Sequence, residues 1–307
     1  MADLKNGTLV QHTTLGIGKI VAVEANAVHV FFPDGDKRFA AKLRLPAALA
    51  LLRTEGLERN TWLEGLSAFA LDPKLGRYTL AARWLTHDEA VEQFLEVFPA
   101  AFEDPAYLAG KGGRAACWRA AHDRWAKLFG DGEGARLAAA DDLAELVKRA
   151  LRVEEAVESL HAPADEGAVK DALSRDEATR PFFAALFELL SVPSPGRARF
   201  EKLFAAARDL PVDPAQQWLV ATLFPFVASP GRHVLLRPKI ACEAAARLGC
   251  DLGEAASPNW ATYAALRALS AQLLERLEPN GARDFVDVEA FLHVTATAKR
   301  RAARSAR

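Results

Sequence analysis

Long apolar runs are missing from this 307-residue chain: no stretch approaches the ~20 residues needed to cross a bilayer, so no membrane partner is expected. The opening Met1-Ala2-Asp3-Leu4-Lys5-Asn6-Gly7 lacks an apolar signal core, which points to a cytoplasmic protein. Cysteine is scarce. Cys117, Cys242 and Cys250 are too few and too scattered for a disulfide framework or a zinc knuckle, and they read as buried thiols. A nucleophile elbow, a Ser-His-Asp arrangement and zinc-finger spacing are all absent, so the sequence supports no enzymatic assignment and no cofactor is expected.

Net charge is also nearly absent, with 39 Lys and Arg against 40 Asp and Glu, but the balance is uneven along the chain. Residues 1–46 carry six Lys or Arg against four acids, a net of +2. Residues 299–307 contribute +5 through Lys299, Arg300, Arg301, Arg304 and Arg307. A total of −1 therefore leaves −8 for the middle. Basic ends attract a phosphate backbone or an acidic protein surface, and the tail also reads as a solubilising helix end.

What the chain does contain at its start is a set of short β-forming runs: Thr8 to His12, Lys19 to Glu24, Ala27 to Phe32 and, more weakly, Arg38 to Ala41. Turn residues separate them. Gly16 and Gly18 flank Ile17 at a corner, and Pro33-Asp34-Gly35-Asp36 reads as a tight turn. The pattern predicts a small β-barrel of four or five strands over residues 1–46. Gly16-Ile17-Gly18 does not open a dinucleotide site, because Val21 stands where the third glycine is required and a strand pattern follows.

The order His12, Leu15-Gly16, Gly18, a β-branched strand from Ile20, then Phe32, Gly35 and Leu45-Pro46 resembles the Tudor-like small barrel of CarD-type regulators. It is similar as well to the polymerase-interacting module of transcription-repair coupling factors and to the C-terminal barrel of UvrD-type helicases. The resemblance spans residues 5–46 and implies a module that docks on RNA polymerase or nucleic acid. Contacts are expected at Lys19, Phe31, Phe32, Lys37, Arg38 and Lys42, where exposed aromatic and basic groups would give stacking and phosphate pairing.

From Leu45 the apolar period changes from two to about 3.6, which predicts an all-α domain of about eleven helices over residues 47–298, followed by the basic tail 299–307. The expected helices include Trp62 to Ala70, Arg77 to Leu85, Pro105 to Phe129, Ala135 to His161, Asp176 to Leu190 and Pro214 to Val227. Trp118, Trp125 and Phe129 share a helical face and read as core, as do Phe182, Phe183, Leu186 and Phe187. Two segments, Ala185 to Arg197 and Thr222 to Arg232, look faintly repeated, but two copies do not make a solenoid. Pro225 inside a helix pattern predicts a kink that shapes a groove, with Arg232, His233, Arg237 and Lys239 as a second binding surface.

Two His-Asp pairs, His87-Asp88 and His122-Asp123, raise an alternative: a metal-dependent helical phosphohydrolase in which the metal activates water. Against it, Thr86-His87-Asp88-Glu89 reads as a capping box, and His122 flanks the Trp118 stripe. Asp284 reads as a helix cap, with Asp287 where the dipole favours it. The loop Ala109-Gly110-Lys111-Gly112-Gly113 lacks the strand and the Ser or Thr of a phosphate loop. The expectation is a bacterial-type, non-enzymatic interaction protein, with a purely structural protein-protein scaffold as a further alternative.

Overall fold

The computed structural model describes residues 4–33, 39–57, 60, 63, 66, 69–73, 75–80, 85–108, 113–193 and 196–298. They fall into two compact units, one built on residues up to Val91 together with Ala245–Asp251, the other on Glu92–Ala244 and the residues from Leu252 on.

The first unit is built on an antiparallel sheet. Strands β1 (Leu9–His12), β2 (Gly16–Glu24), β3 (Ala27–Phe31) and β4 (Ala41–Arg44) form a meander. Helix α1 (Ala47–Leu51) then leads into β5 (Leu52–Arg53), which pairs back on β1 and gives the order β4-β3-β2-β1-β5. The imidazole of His12 organises the first turn, its Nδ1 accepting from the backbone N–H of Thr14 (3.2 Å) and of Leu15 (3.3 Å). Gly18 is required by contact, since a Cβ there would lie 2.5 Å from the Phe32 ring and 2.8 Å from the Phe31 carbonyl oxygen. The register skips at Val21, between the pairs Ile20–Val30 and Ala22–His29, which is a β-bulge.

The expected barrel is an open sheet, with β4 and β5 as its edges. Closure is not needed to hide apolar surface, because both broad faces are already covered. One face packs Val10, Ile20, Val28, Val30 and Phe32 with Ala48 and Leu52. The other packs Val21, Phe31 and Ala40 with Leu63 and Leu66, flanked by Phe69 and Tyr78.

The segment that covers the second face departs from the predicted helices at Trp62 to Ala70 and Arg77 to Leu85. Strands β6 (Phe69–Asp72) and β7 (Arg77–Leu80) form a hairpin instead. Its turn is set locally: Gly76 at φ +60° donates its N–H to the Asp72 carbonyl (2.8 Å), and the Asp72 carboxylate accepts from Leu75 N–H (3.1 Å). Tyr78 accepts from Ala40 N–H (2.8 Å), which seats the hairpin on the sheet unit. The boundary expected at residue 46 therefore falls inside this unit. The Ala245–Asp251 segment joins it through Leu85 N–H donated to the Arg247 carbonyl (2.6 Å) and a bridge between Leu66 and Cys250.

Helices follow in chain order: α2 (His87–Val97), α3 (Pro105–Leu108), α4 (Arg114–Phe129), α5 (Glu133–Ala139), α6 (Leu143–Glu154), α7 (Ala168–Ala172) and α8 (Asp176–Leu190). They continue as α9 (Arg197–Arg208), α10 (Pro214–Ala228), α11 (Pro238–Arg247), α12 (Trp260–Leu277) and α13 (Phe285–Thr297). The helix expected over Ala135 to His161 is broken where Asp141 takes φ +61° and Asp142 caps α6 by accepting from Glu145 N–H (3.2 Å). Helix α10 is the centre of the second unit. Every residue from Gln217 to Val227 is buried, including Pro225, and the helix packs against α4, α7, α8 and α9. A helix apolar on all sides belongs inside a core, so Pro225 shapes no open groove. Trp118 meets Phe226 edge-on at 5.0 Å and Trp125 lies near Phe129, Phe187 and Phe224, so the two aromatic stripes are in the core, as expected.

Candidate docking cleft

A cleft of about 430 Å³ opens beside β2 in the first unit. Among the described residues, Lys19 to Val23 line one side, and Asn6, Leu66, Phe69 and Tyr78 also line it. Strand alternation places Lys19 opposite Phe31, and Ala22 opposite His29, on the face that the β6–β7 hairpin covers. Phe69 contacts Phe31 at 5.2 Å between ring centroids, and Tyr78 meets His29 edge-on at 4.9 Å. Lys19 is 7% exposed and its ammonium donates to the Leu66 carbonyl at 2.5 Å.

His29 is fully buried. Its Nε2 lies 2.8 Å from Glu24 Oε1, while Lys42 donates to the other carboxylate oxygen at 2.8 Å. The hydrogen bond from Lys42, followed by that from His29, holds the Glu24 carboxyl below the usual range. The Nδ1 of His29 has no hydrogen-bond partner among the described residues.

The barrel residues expected to be exposed are thus largely turned inward. Lys19 is a buried donor, and Phe31 and Phe32 are each 2% exposed and belong to opposite cores of the sheet. Two-sided packing is the reason, since a strand covered on both faces has no free face for stacking. Lys42 is exposed and paired with Glu24. Lys37 and Arg38 lie outside the described residues.

The second expected surface also divides. Arg232 and Lys239 are exposed, but His233 and Arg237 are interior residues. His233 packs on Phe200 and places Nδ1 3.3 Å from the Tyr263 hydroxyl. Burial, with Arg267 and Arg232 adding to it, pushes its pKa down to about 4. Arg237 donates to the Leu160 carbonyl at 3.2 Å and pairs with Glu289. The four do not share a groove, because two of them are consumed in packing the helical unit. The basic tail Lys299, Arg300, Arg301, Arg304 and Arg307 lies outside the described residues.

The His-Asp pairs have structural work. Glu89 N–H donates to Thr86 Oγ1 (3.2 Å) and Thr86 N–H to the Glu89 carboxylate (2.9 Å), so His87 and Asp88 sit within the expected capping box. His122 Nδ1 contacts the Val227 carbonyl oxygen at 2.7 Å, and Asp123 is exposed. Among the described residues no group of three or more His, Cys, Asp or Glu is placed to hold a metal ion.

Sequence reasoning missed a buried charge cluster in the helical unit. Glu289, on α13, accepts from Arg114 (2.6 Å), from the Trp118 indole (3.2 Å) and from Arg237. Burial raises the pKa of this carboxyl, but Arg114 and Arg237 outweigh burial and hold it at about 2. Two positions earlier, the fully buried Asp287 accepts from the Tyr107 hydroxyl and from the Arg283 backbone and guanidinium. The signal was available in Val286-Asp287-Val288-Glu289-Ala290-Phe291-Leu292, where acids interrupt a continuous apolar run instead of lying on one polar stripe.

Comparison of the chain with protein families, with curated proteins and with solved structures finds no match.

Proposed function

We propose that this chain is a non-enzymatic docking protein whose first unit seats a protein partner, with the helical unit as a second surface. RNA polymerase is the partner implied by the resemblance of residues 5–46 to CarD-type barrels. The supporting observation is the distribution of exposed large apolar side chains among the described residues: Val23, Leu49, Leu51, Leu71 and Leu75 belong to the first unit, and Val97 alone to the second. Water-exposed leucines gathered on so small a unit are what a protein interface uses. The inward positions of Lys19, Phe31 and Phe32 favour a protein surface over a nucleic acid, which would need basic and aromatic groups at the exterior.

The test is co-purification of the tagged full chain with RNA polymerase from lysate at low salt. Retention of polymerase is expected after nuclease treatment. Retention of nucleic acid alone, lost steeply with salt, would overturn protein docking in favour of phosphate binding. Retention of neither would overturn both.

A further inference from the structure

We propose that Arg232 and Arg267 form a seat on the helical unit for an acidic segment of the partner protein. This rests on the docking reading and names the chemistry that its second surface takes. Arg232 lies on the turn after α10 and Arg267 on α12, and both are exposed. Arg267 Nε donates to the Arg232 carbonyl at 3.1 Å, which brings the two residues together. Among the described residues the guanidinium of Arg232 meets no hydrogen-bond acceptor and no carboxylate, and that of Arg267 meets none beyond this carbonyl.

The ground beneath them is fixed. The N–H groups of Arg232 and His233 both donate to the Ser229 carbonyl (2.9 and 3.0 Å), and Phe285 N–H donates to that of Pro230 (3.0 Å). The Tyr263 hydroxyl, from the turn of α12 before Arg267, accepts from Val234 N–H (3.4 Å) and lies 3.3 Å from His233 Nδ1. Phe200 packs into the same cluster, 5.7 Å from His233 and 5.0 Å from the half-buried Trp260. The charges of Arg267 and Arg232 both press on His233, and no carboxylate opposes them.

Uncompensated guanidinium forks on a fixed turn pair best with carboxylates, which accept from an arginine in bidentate fashion. A half-buried tryptophan in the same cluster is an anchor of the kind that protein interfaces use. A nucleic acid fits less well, because it needs a track of cations along its backbone. Here Ser229, Pro230 and Gly231 before Arg232, and Ala264, Ala268 and Ala271 around Arg267, are all uncharged.

The probes are two capped peptides, acetyl-Gly-Ser-Glu-Glu-Ser-Glu-Glu-Gly-amide and its counterpart with Gln for every Glu, titrated into the full-length ¹⁵N-labelled protein. The Glu peptide is expected to shift the side-chain Nε–H signals of Arg232 and Arg267 and the amides of Gly231 to Val234, and to bind about tenfold more tightly than the Gln peptide. Arg232→Gln should remove most of that difference and leave the thermal midpoint in place, since this side chain holds no other group. Equal binding of the two peptides, shifts confined to other residues, no shifts, or an undiminished difference in Arg232→Gln would each overturn the proposal. An oligothymidylate that binds at the same signals more tightly than the Glu peptide would overturn it in favour of a phosphate backbone. Polymerase retention without discrimination between the peptides overturns this seat alone. Discrimination without retention supports the seat and overturns the polymerase reading.

Discussion

The hydroxyl of Tyr107 donates to Oδ1 of Asp287 at 2.5 Å, joining α3 to α13 across 180 positions of sequence. Burial, reinforced by the Asp287 charge, pushes the phenol far above its ordinary range, so it remains a donor. Tyr107→Phe leaves Asp287 its Arg283 bonds and should cost about 1–3 kcal/mol in urea denaturation. Asp287→Ala strands the tyrosine hydroxyl and frees Arg283, and should cost about 3–5 kcal/mol. Equal costs for the two variants would refute the ranking.

Acid should destabilise the helical unit in two stages. Burial pushes the pKa values of His233 and His293 down to about 4, so the folded state resists protons that the unfolded chain accepts from about pH 6.5. The stability they contribute is complete above pH 6.5 and declines as pH falls toward 4. Glu289, at about 2 in the folded state, contributes stability that is present above about pH 4.5 and is lost between there and pH 2. Urea midpoints measured across pH should show both declines. His233→Gln should flatten the first and Glu289→Gln the second, even though each variant starts less stable.

Gly18→Ala should destabilise the sheet unit by about 1–3 kcal/mol, because the added methyl meets the Phe32 ring and the Phe31 carbonyl and neither can withdraw from the core. Proteolysis by chymotrypsin should then open the first 53 residues earlier than in the parent. Unchanged protection would show that the ring has room to move.

Leu71→Asp with Leu75→Asp should abolish polymerase retention without moving the thermal midpoint by more than about 2 °C, since both side chains are more than half exposed. Retention by the double variant would place the interface elsewhere.

Much of this architecture could be read from residue order. The alternation over Thr8 to Phe32 located β1, β2 and β3, and the predicted helix Asp176 to Leu190 coincides with α8. Capping residues Thr86 and Asp284 were legible because a cap is a local hydrogen bond. The hairpin β6–β7 was not. Its apolar spacing also fits a helix, and what decided the outcome was Phe69 and Tyr78 finding a sheet face contributed by distant residues. Lys19 was misplaced for the same reason, since alternation separates two faces but does not say that both will be covered. Arg237 read as surface because its partner Glu289 lies 52 residues away.

Side chains cover this sheet above and below, so among the described residues its unpaired strand edges lie along β4 and β5. Docking of the kind proposed above for the first unit would then be linear, following the direction of a strand.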